Sequence, residues 1–438
     1  MIYREDFPFF VFLRKITTMK REDFEIMAPV GSYESLMAAI QGGANSVYFG
    51  IEKLNMRSRS SNNFTTEDLV KIVSICKEHG IKTYLTVNIV IYDNDITLMK
   101  EIIDTAKKVG ISAIIACDIA AMTYANQIGV EVHLSTQLNI SNTEALRFYA
   151  QFADVVVLAR ELNLEQVAEI HKNIVEQNIR GPKGELIRIE MFCHGALCMA
   201  ISGKCYLSLH EMNASANRGA CMQICRHAYN VIDKERDVEL DVENQYIMSP
   251  KDLKTIHFLN KMMDAGVQVF KIEGRARSAE YVKTTCECYN EAMNAYLENT
   301  FTDEKIENWN TRLSKVFNRG FWNGYYLGQR LGEWSANYGS EATHKKVYVA
   351  KGMKYFSNIG VAEFYVETGN VKVGDEVVIM GPTTGVIETK ITEMQVDCKN
   401  AEEAKKGESF SIKLNEKIRP SDKLYKWVEA KNVHDNQN

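Results

Sequence analysis

The sequence predicts an α/β protein, in which a (β/α)8 TIM-like barrel with a cysteine-rich insertion is followed by a small all-β barrel. Two observations predict it. Short β-rich runs alternate with amphipathic helical segments from Glu25 to about Gly274, and a second series of β-rich runs separated by turn signals extends from Lys346 to Val428. The first series has eight runs, as a closed parallel barrel requires. An open doubly wound sheet is the alternative, and no glycine-rich dinucleotide turn supports it.

The eight barrel strands are predicted at apolar runs that are mostly followed by a helical segment within ten residues. They are Glu25–Pro29, Ser46–Gly50, Thr83–Asn88, Ala113–Asp118, Val132–Ser135, Val155–Ala159, Ile187–Phe192 and Val267–Ile272. Among the helices, Thr65–His79 has apolar residues at helical spacing, a threonine N-cap and Gly80 as its stop, and Ile96–Val109 stops at Gly110.

Composition excludes several classes of protein. The chain has 438 residues, 45% of them hydrophobic and 25% charged, which is not typical of a disordered protein, a collagen or a coiled coil. The formal net charge of −5 argues against a broad cationic surface, so any nucleic-acid contact should be a local patch. No apolar stretch is long enough to span a membrane and no secretory signal is recognised, so we expect a cytoplasmic protein.

The predicted organisation has four parts. Residues 1–22 form an N-terminal arm, residues 23–338 the barrel with its cysteine insertion (193–259) and C-terminal helices, residues 339–428 the β-barrel domain, and residues 429–438 a tail. Inside the insertion, Ser249 and Pro250 have the residue types of an N-cap and a first helical position, which predicts a helix start there.

Charged residues follow several predicted strands, where the chemistry of such barrels takes place. Lys271, Glu273 and Arg275 end the eighth strand, Arg160 follows the sixth and His194 follows the seventh. These five are the candidate catalytic residues. The alternative for each cation is a surface ion pair, and His194 could instead orient a loop by hydrogen bonds.

Five cysteines lie within 33 residues, and four of them, Cys198, Cys205, Cys221 and Cys225, are separated by six, fifteen and three residues. Thiolates select zinc or iron–sulfur clusters, and this spacing does not distinguish a four-cysteine zinc site from a 4Fe–4S cluster. Two alternatives are buried thiols that act as small hydrophobes and a cysteine nucleophile with His194 as its base. Cys193 is a fifth candidate ligand.

The stretch from Glu190 to Ser208 has the pattern Glu-x-Phe-x-x-Gly-Ala-Leu-Cys-x4-Gly-x-Cys-x-Leu-Ser. It resembles the signature of the collagenase-like peptidase family (unassigned peptidase family 32, PrtC-like). Further stretches that look like the family are Ala28-Pro-Val-Gly-Ser, Gly43-Ala-Asn-Ser-Val-Tyr-Phe-Gly, His133-Leu-Ser-Thr-Gln, Ser249-Pro-Lys-Asp-Leu and Lys271-Ile-Glu-Gly-Arg. The resemblance covers about residues 23–330, and the β-domain is similar to the second-domain barrel of translation factors.

The resemblance implies a function other than proteolysis. The cysteine spacing looks most like the branch of oxygen-independent transfer-RNA hydroxylation proteins (TrhP-like), in which 5-hydroxyuridine forms at the wobble position with prephenate as presumed hydroxyl donor. Carried over, Cys198, Cys205, Cys221 and Cys225 are the 4Fe–4S ligands, and a paired homologous subunit is plausible. A ribosomal-RNA hydroxylation protein and a collagenase-like peptidase are the alternatives. No His-Glu-x-x-His or Gly-x-Ser-x-Gly motif supports a peptidase.

RNA binding requires local phosphate contacts. Arg57 and Arg59, on the loop after the second strand, form one candidate patch, and Arg218 and Arg226, beside the cysteines, form another.

Overall fold

The computed structural model describes residues 19–58, 64–233, 235, 238–240 and 244–430. The strands of its first part are, in chain order, β1 (Glu25–Pro29), β2 (Ser46–Phe49), β3 (Lys82–Val87), β4 (Ala113–Ala116), β5 (Val132–Leu134), β6 (Val155–Val157), β7 (Arg188–Gly195), β8 (Val231–Asp233), β9 (Val238–Leu240), β10 (Asp252–Lys254), β11 (Val267–Ile272) and β12 (Phe321–Trp322). Strands β1 to β7 pair in order and in parallel, and β11 pairs with both β7 and β1. The predicted eight-stranded barrel is therefore confirmed.

Helices alternate with these strands, as a parallel barrel requires. They are α1 (Tyr33–Gln41), α2 (Thr66–Glu78), α3 (Ile96–Val109), α4 (Ile119–Gln127), α5 (Thr143–Tyr149), α6 (Leu164–Glu176), α7 (Leu207–Met212), α8 (Leu259–Asp264), α9 (Ala279–Leu297) and α10 (Asp303–Lys315). Polar side chains cap several of them. Thr65 accepts a hydrogen bond from the Asp68 backbone at the start of α2, and Gly110 ends α3 in the left-handed conformation. No described helix is long and apolar enough to cross a membrane.

The insertion between β7 and β11 does not start a helix at Ser249, so that prediction is wrong. Pro250 bridges to Trp334, and β10 follows it, antiparallel to β7 and parallel to β12. The chain continues as a strand because β10 pairs with the end of β7 beyond the barrel rim, through Gly195 and His194. The first following helix, α8, begins at Leu259.

An antiparallel all-β region follows, as predicted. It contains β13 (His344–Phe356), β14 (Val361–Val366), β15 (Asn370–Lys372), β16 (Glu376–Gly381), β17 (Gly385–Lys390), β18 (Gln395–Val396), β19 (Lys399–Asn400), β20 (Glu403–Lys405), β21 (Ser409–Lys413) and β22 (Lys423–Glu429). Its main sheet has the order β17-β16-β22-β13-β14-β21-β18-β19 and encloses its own apolar core. Gln41 of α1 joins this domain to the barrel through hydrogen bonds to the Thr384 carbonyl and the Val386 amide.

Candidate active site at the barrel mouth

Glu273 lies just beyond β11, at the carboxyl ends of the barrel strands. Its carboxylate accepts a hydrogen bond from Arg57 at 2.9 Å and one from the Tyr48 hydroxyl at 3.3 Å. Burial alone raises the pKa of Glu273, but the charges of Arg57, Arg160 and Arg275 outweigh it and lower the pKa to about 2. Glu273 is therefore ionised at neutral pH. Three guanidinium groups stabilise its charge, and one of them, that of Arg57, forms an ion pair with it.

Arg275 is buried, and neutral oxygens are its hydrogen-bond partners. Its guanidinium donates to Thr86 Oγ1 at 3.1 Å and to Asn55 Oδ1 at 3.0 Å. Burial lowers the pKa of Arg275 to about 10, so the group stays charged at pH 7 without an ion pair among the described residues. Gly50 makes room for it, because a Cβ there would lie 2.5 Å from the guanidinium.

Arg160, after β6, also has no ion pair within the described part of the chain. One of its nitrogens donates to the Ala196 carbonyl at 3.2 Å, and the guanidinium lies 3.8 Å from the centroid of the Phe192 ring. Its Nε is buried and lacks a hydrogen-bond partner in the described structure. A buried guanidinium nitrogen without an acceptor is unusual and favours an acceptor supplied by a ligand.

Lys271 lies one layer deeper in the barrel. Its ammonium is 2.7 Å from Glu190 Oε1, and both side chains are buried. The rings of Tyr48 and Phe192 cover it, with the nitrogen 4.8 and 5.5 Å from their centroids. Such a pair is neutral overall and fixes the ammonium below the mouth.

Two cations of this site have no ion-pair partner among the described residues. Of the six charged groups described above, Glu273 pairs with Arg57 and Glu190 with Lys271, whereas Arg160 and Arg275 are unpaired, which leaves an excess of two positive charges within this set. Guanidinium groups bind carboxylates and phosphates with matched geometry. The arrangement can bind a dianion.

The cysteine segment covers this mouth from the side of the loops after β2, β3 and β5. Gly219, at φ +80°, lies so close to Ser58 and the Asn55 carbonyl that a Cβ would be 2.2 and 2.4 Å from them. Asn217 accepts a backbone hydrogen bond from Val90, and Asn139 donates to the Ser202 carbonyl at 3.0 Å. These contacts hold the thiols above the cationic site.

The four predicted ligand cysteines are neighbours. Partial burial raises the pKa of the Cys225 thiol, the charge of Arg226 lowers it, and the neighbouring Cys198, Cys221 and Cys205 raise it further. Cys198 and Cys221 in turn act on Arg57 at the mouth. All four are free thiols and none is buried.

The four cysteines are the donor set of a zinc site or of an iron–sulfur cluster. A tetrahedral zinc site needs thiolate sulfurs about 3.8 Å apart, as Zn–S bonds of about 2.3 Å impose. Among the described residues, no group of three or more His, Cys, Asp or Glu is close enough to hold one metal ion. Both a four-cysteine zinc site and a 4Fe–4S cluster use four thiolates, and in the cluster each thiolate binds a separate iron.

Two other candidates lie away from the mouth. His194 is buried beside the rings of Tyr281, Tyr289 and Phe321, and burial with two nearby cations lowers its pKa to about 3. It is therefore neutral at physiological pH and packed among aromatic rings. Cys193 is fully buried, and burial raises the pKa of its thiol well above the ordinary value. Neither residue contacts the four arranged cysteines in the described structure, and the catalytic role of His194 stays a prediction.

The structure places the predicted RNA-binding arginines differently from one another. Arg57 lies in the mouth, paired with Glu273. Arg218 pairs with Asp95 and lies over the Tyr92 ring, whereas Arg226 is buried and donates to Ser249, Pro250 and Leu197. Arg59 lies outside the described residues. An RNA contact by any of them stays a prediction.

Sequence reasoning missed several residues of the site. Tyr48 and Glu190 lie inside strands and point into the barrel, and the alternation of β2 and β7 was the available signal. Tyr92 and Tyr206 are exposed to 53% and 74% beside the cysteine segment, and isolated tyrosines give no signal in a single sequence.

These features define a barrel protein with cations at its mouth beneath a segment that carries four neighbouring cysteines. A family comparison agrees with them: the model described as "Peptidase family U32" matches residues 31–336, so the chain belongs to this family.

Curated relatives have different names. The chain is 69% identical to "Collagenase" of Porphyromonas gingivalis W83, over 93% of this chain and 99% of the relative. It is 32% identical to "tRNA hydroxylation protein P1" of Bacillus subtilis, over 92% and 94% of the two chains. It is 31% identical to "23S rRNA 5-hydroxycytidine C2501 synthase" of Escherichia coli, over 72% of this chain and 47% of the relative.

Proposed function

We propose that this protein hydroxylates RNA, forming 5-hydroxyuridine at the transfer-RNA wobble position, with prephenate as hydroxyl donor and a 4Fe–4S cluster on Cys198, Cys205, Cys221 and Cys225. The observation that carries the proposal is the pair of uncompensated positive charges beneath the cysteine segment. Prephenate is a dicarboxylate, and its charge of −2 matches this excess. The relatives named for tRNA and rRNA hydroxylation support RNA as the substrate.

In this proposal Arg160 and Arg275 bind the two carboxylates of the donor. Arg160 offers its Nε, which lacks an acceptor in the described structure, and Arg275 offers a charge that neutral oxygens do not compensate. Glu273 orients Arg57 and compensates its charge, so that the excess charge of the site remains +2 and matches a dianion. The covering cysteine segment limits access of water to the bound donor.

The reaction is a balanced group exchange. The C5–H bond of uridine and the carbon–hydroxyl bond of the donor break, and the base gains the hydroxyl while the donor gains the hydrogen. The base is thereby oxidised by two electrons and the donor reduced by two. A cluster on the four cysteines would supply one-electron transfer between them.

The base must leave its stack to reach the mouth. Tyr92 and Tyr206 are exposed beside the cysteine segment and could stack against splayed bases. Arg218, fixed over Tyr92 by Asp95, adds a cation next to this surface.

Mass spectrometry of transfer RNA from a deletion strain tests the function directly. We expect loss of 5-hydroxyuridine and its derivatives, restored by the wild-type gene but not by Arg160→Gln. Arg147→Gln, an exposed arginine on α5, is the matched control and should restore the modification. Unchanged 5-hydroxyuridine would refute the transfer-RNA assignment, and loss of a ribosomal-RNA hydroxylation would move the function to that substrate.

Anaerobic purification with quantification of iron and acid-labile sulfide tests the cofactor. We expect about four irons and four sulfides per chain, as the proposed cluster type contains. Replacement of Cys198 by alanine should reduce both. Zinc without sulfide would contradict the cluster and favour a structural metal site.

A collagenase-like peptidase is the second candidate, favoured by the name of the relative at 69% identity. Purified protein assayed on gelatin, with Cys198→Ala as the comparison, decides between them. Cleavage by the wild type would establish peptidase activity, and its loss in the variant would assign it to the cysteine segment. A paired homologous subunit and a cytoplasmic location also stay predictions.

A further inference from the structure

A column of buried titratable groups runs through the barrel below the mouth. Lys271 contacts Glu190 Oε1 at 2.7 Å, and Glu190 Oε2 lies 4.0 Å from His133 Nδ1. His133 Nε2 is 3.3 Å from Glu131, whose side chain reaches the opposite end of the barrel. The column thus extends from below the mouth to the floor of the barrel through two close contacts and one 4.0 Å gap, between Glu190 and His133.

The floor is open to solvent. It contains a cavity of about 460 Å³, lined by residues that include Glu131, Asp154, Lys183 and Arg188. The Glu131 side chain is 18% exposed, whereas those of His133 and Glu190 are 1% and 0% exposed. Only Glu131 therefore contacts both solvent and the buried part of the column.

Two facing atoms in the middle of the column, His133 Nδ1 and Glu190 Oε2, have no hydrogen between them when both act as acceptors. Burial would raise the pKa of Glu131, but hydrogen bonds from His133 and Lys183 lower it to about 2, so Glu131 is an acceptor. In the tautomer whose Nε2 hydrogen is donated to Glu131, Nδ1 has only a lone pair. It faces Glu190 Oε2, also an acceptor when ionised, and both atoms are buried without a hydrogen-bond partner in the described structure.

We propose that His133 Nδ1 and Glu190 Oε2 share a proton-binding site, through which protons pass between the floor of the barrel and Lys271 below its mouth. A movement of about 1 Å brings the two atoms within hydrogen-bond distance. An imidazole that gains a proton at one nitrogen and releases one at the other transfers it with no change in composition. Tyr84, whose ring is 4.4 Å from His133, together with Glu25 and Asp154, forms the rest of its polar surroundings.

The proton route is inferred from the positions of the four side chains alone, whereas its role in the reaction rests on the proposed function. In the proposed exchange the uridine carbon loses a hydrogen and the donor gains one, so groups at the mouth must take up a proton and return it while RNA and the cysteine segment cover the site. Access from the floor would allow this without opening the covered side. Only protons move along the column, so it requires no further oxidant or reductant.

Water exchange of the His133 imidazole protons, measured by NMR on full-length protein labelled with 15N at histidine, tests the proposal. The chain has nine histidines, and His133→Asn identifies the signal. We expect exchange with bulk water in the wild type despite complete burial. Exchange should slow about tenfold or more in Glu131→Gln, where a charge-assisted hydrogen bond is lost. Glu185→Gln, in the same floor cavity but without contact to His133, is the matched control.

Protected His133 protons in the wild type, or equal exchange in Glu131→Gln and Glu185→Gln, would overturn the proposal and leave His133 as a core residue. Glu190→Gln should also slow exchange; because it could unfold the barrel, the partly exposed Glu131 provides the primary test. Normal exchange in a protein that does not modify RNA would refute the proposed function and keep the proton route.

Discussion

Replacing Glu273 by glutamine should have two opposite effects, on stability and on ligand affinity. The carboxylate is 15% exposed and is held by Arg57 at 2.9 Å. Its pKa is lowered from 4.5 to about 2, which corresponds to roughly 3 kcal/mol of stability at pH 7. Because glutamine has no charge at any pH, the variant loses this contribution.

The sign with pH follows from the direction of the shift. A carboxylate with a lowered folded-state pKa stabilises the fold above its unfolded value, about 4.5, and this contribution disappears as the pH falls through about 2. Wild type and Glu273→Gln should therefore differ by about 3 kcal/mol in urea unfolding at pH 7 and converge towards pH 2. Glu101→Gln, an exposed carboxylate on α3, should match the wild type throughout.

The affinity of the Glu273→Gln variant for a dianion should increase, although its stability decreases. Removing Glu273 raises the excess charge of these groups from two to three, and at an effective dielectric of about 20 a unit charge about 8 Å away contributes about 2 kcal/mol for each charge of the ligand, before solvent screening. After solvent screening we expect prephenate to bind about five- to thirtyfold more tightly, by calorimetry at pH 7. Phenylpyruvate, a monocarboxylate, should gain less. Weaker binding of prephenate to the folded variant would refute the charge assignment of the mouth.

Three further predictions follow from single contacts. Lys271→Met should lower stability by about 3–5 kcal/mol, since Glu190 is left buried and charged, and adding Glu190→Leu should recover part of the loss in urea unfolding. Gly31→Ala should lower the melting temperature, measured by calorimetry, because the new Cβ would lie 2.0 Å from the Arg275 carbonyl oxygen. Arg226→Met should reduce iron content in anaerobic preparations, because it releases the backbone next to Cys198.

The barrel could be predicted because its signals are local. Apolar runs, caps such as Thr65 and stops such as Gly110 act within a few residues, and the structure confirms the eight strands they predicted. The helix start at Ser249 was wrong because the same local signal was overridden by pairing of β10 with β7. Because β10 and β7 lie some 60 residues apart in the sequence, their pairing cannot be predicted from the residues next to Ser249.

The sequence predicted where the candidate residues lie but not how they pair. Glu273 and Arg275 follow the end of β11, as expected, but their partners are side chains from other parts of the barrel. Glu273 pairs with Arg57 after β2, and Lys271 with Glu190 in β7. The six charged residues are present in the sequence, but only their pairing in space shows that two of the cations have no ion-pair partner.

The same charge pattern bears on the choice between hydrolysis and group transfer. A peptidase stabilises a single developing oxyanion and needs an activated nucleophile beside it. The mouth instead offers two cations, Arg160 and Arg275, that have no ion pair among the described residues, and His194 lies away from it, neutral and packed among aromatic rings. Two unpaired cations favour tight binding of a small dianion. A peptide bond carries no negative charge that they could compensate. The electrostatics therefore favour a dicarboxylate co-substrate, and they do so independently of whether the cysteines bind iron.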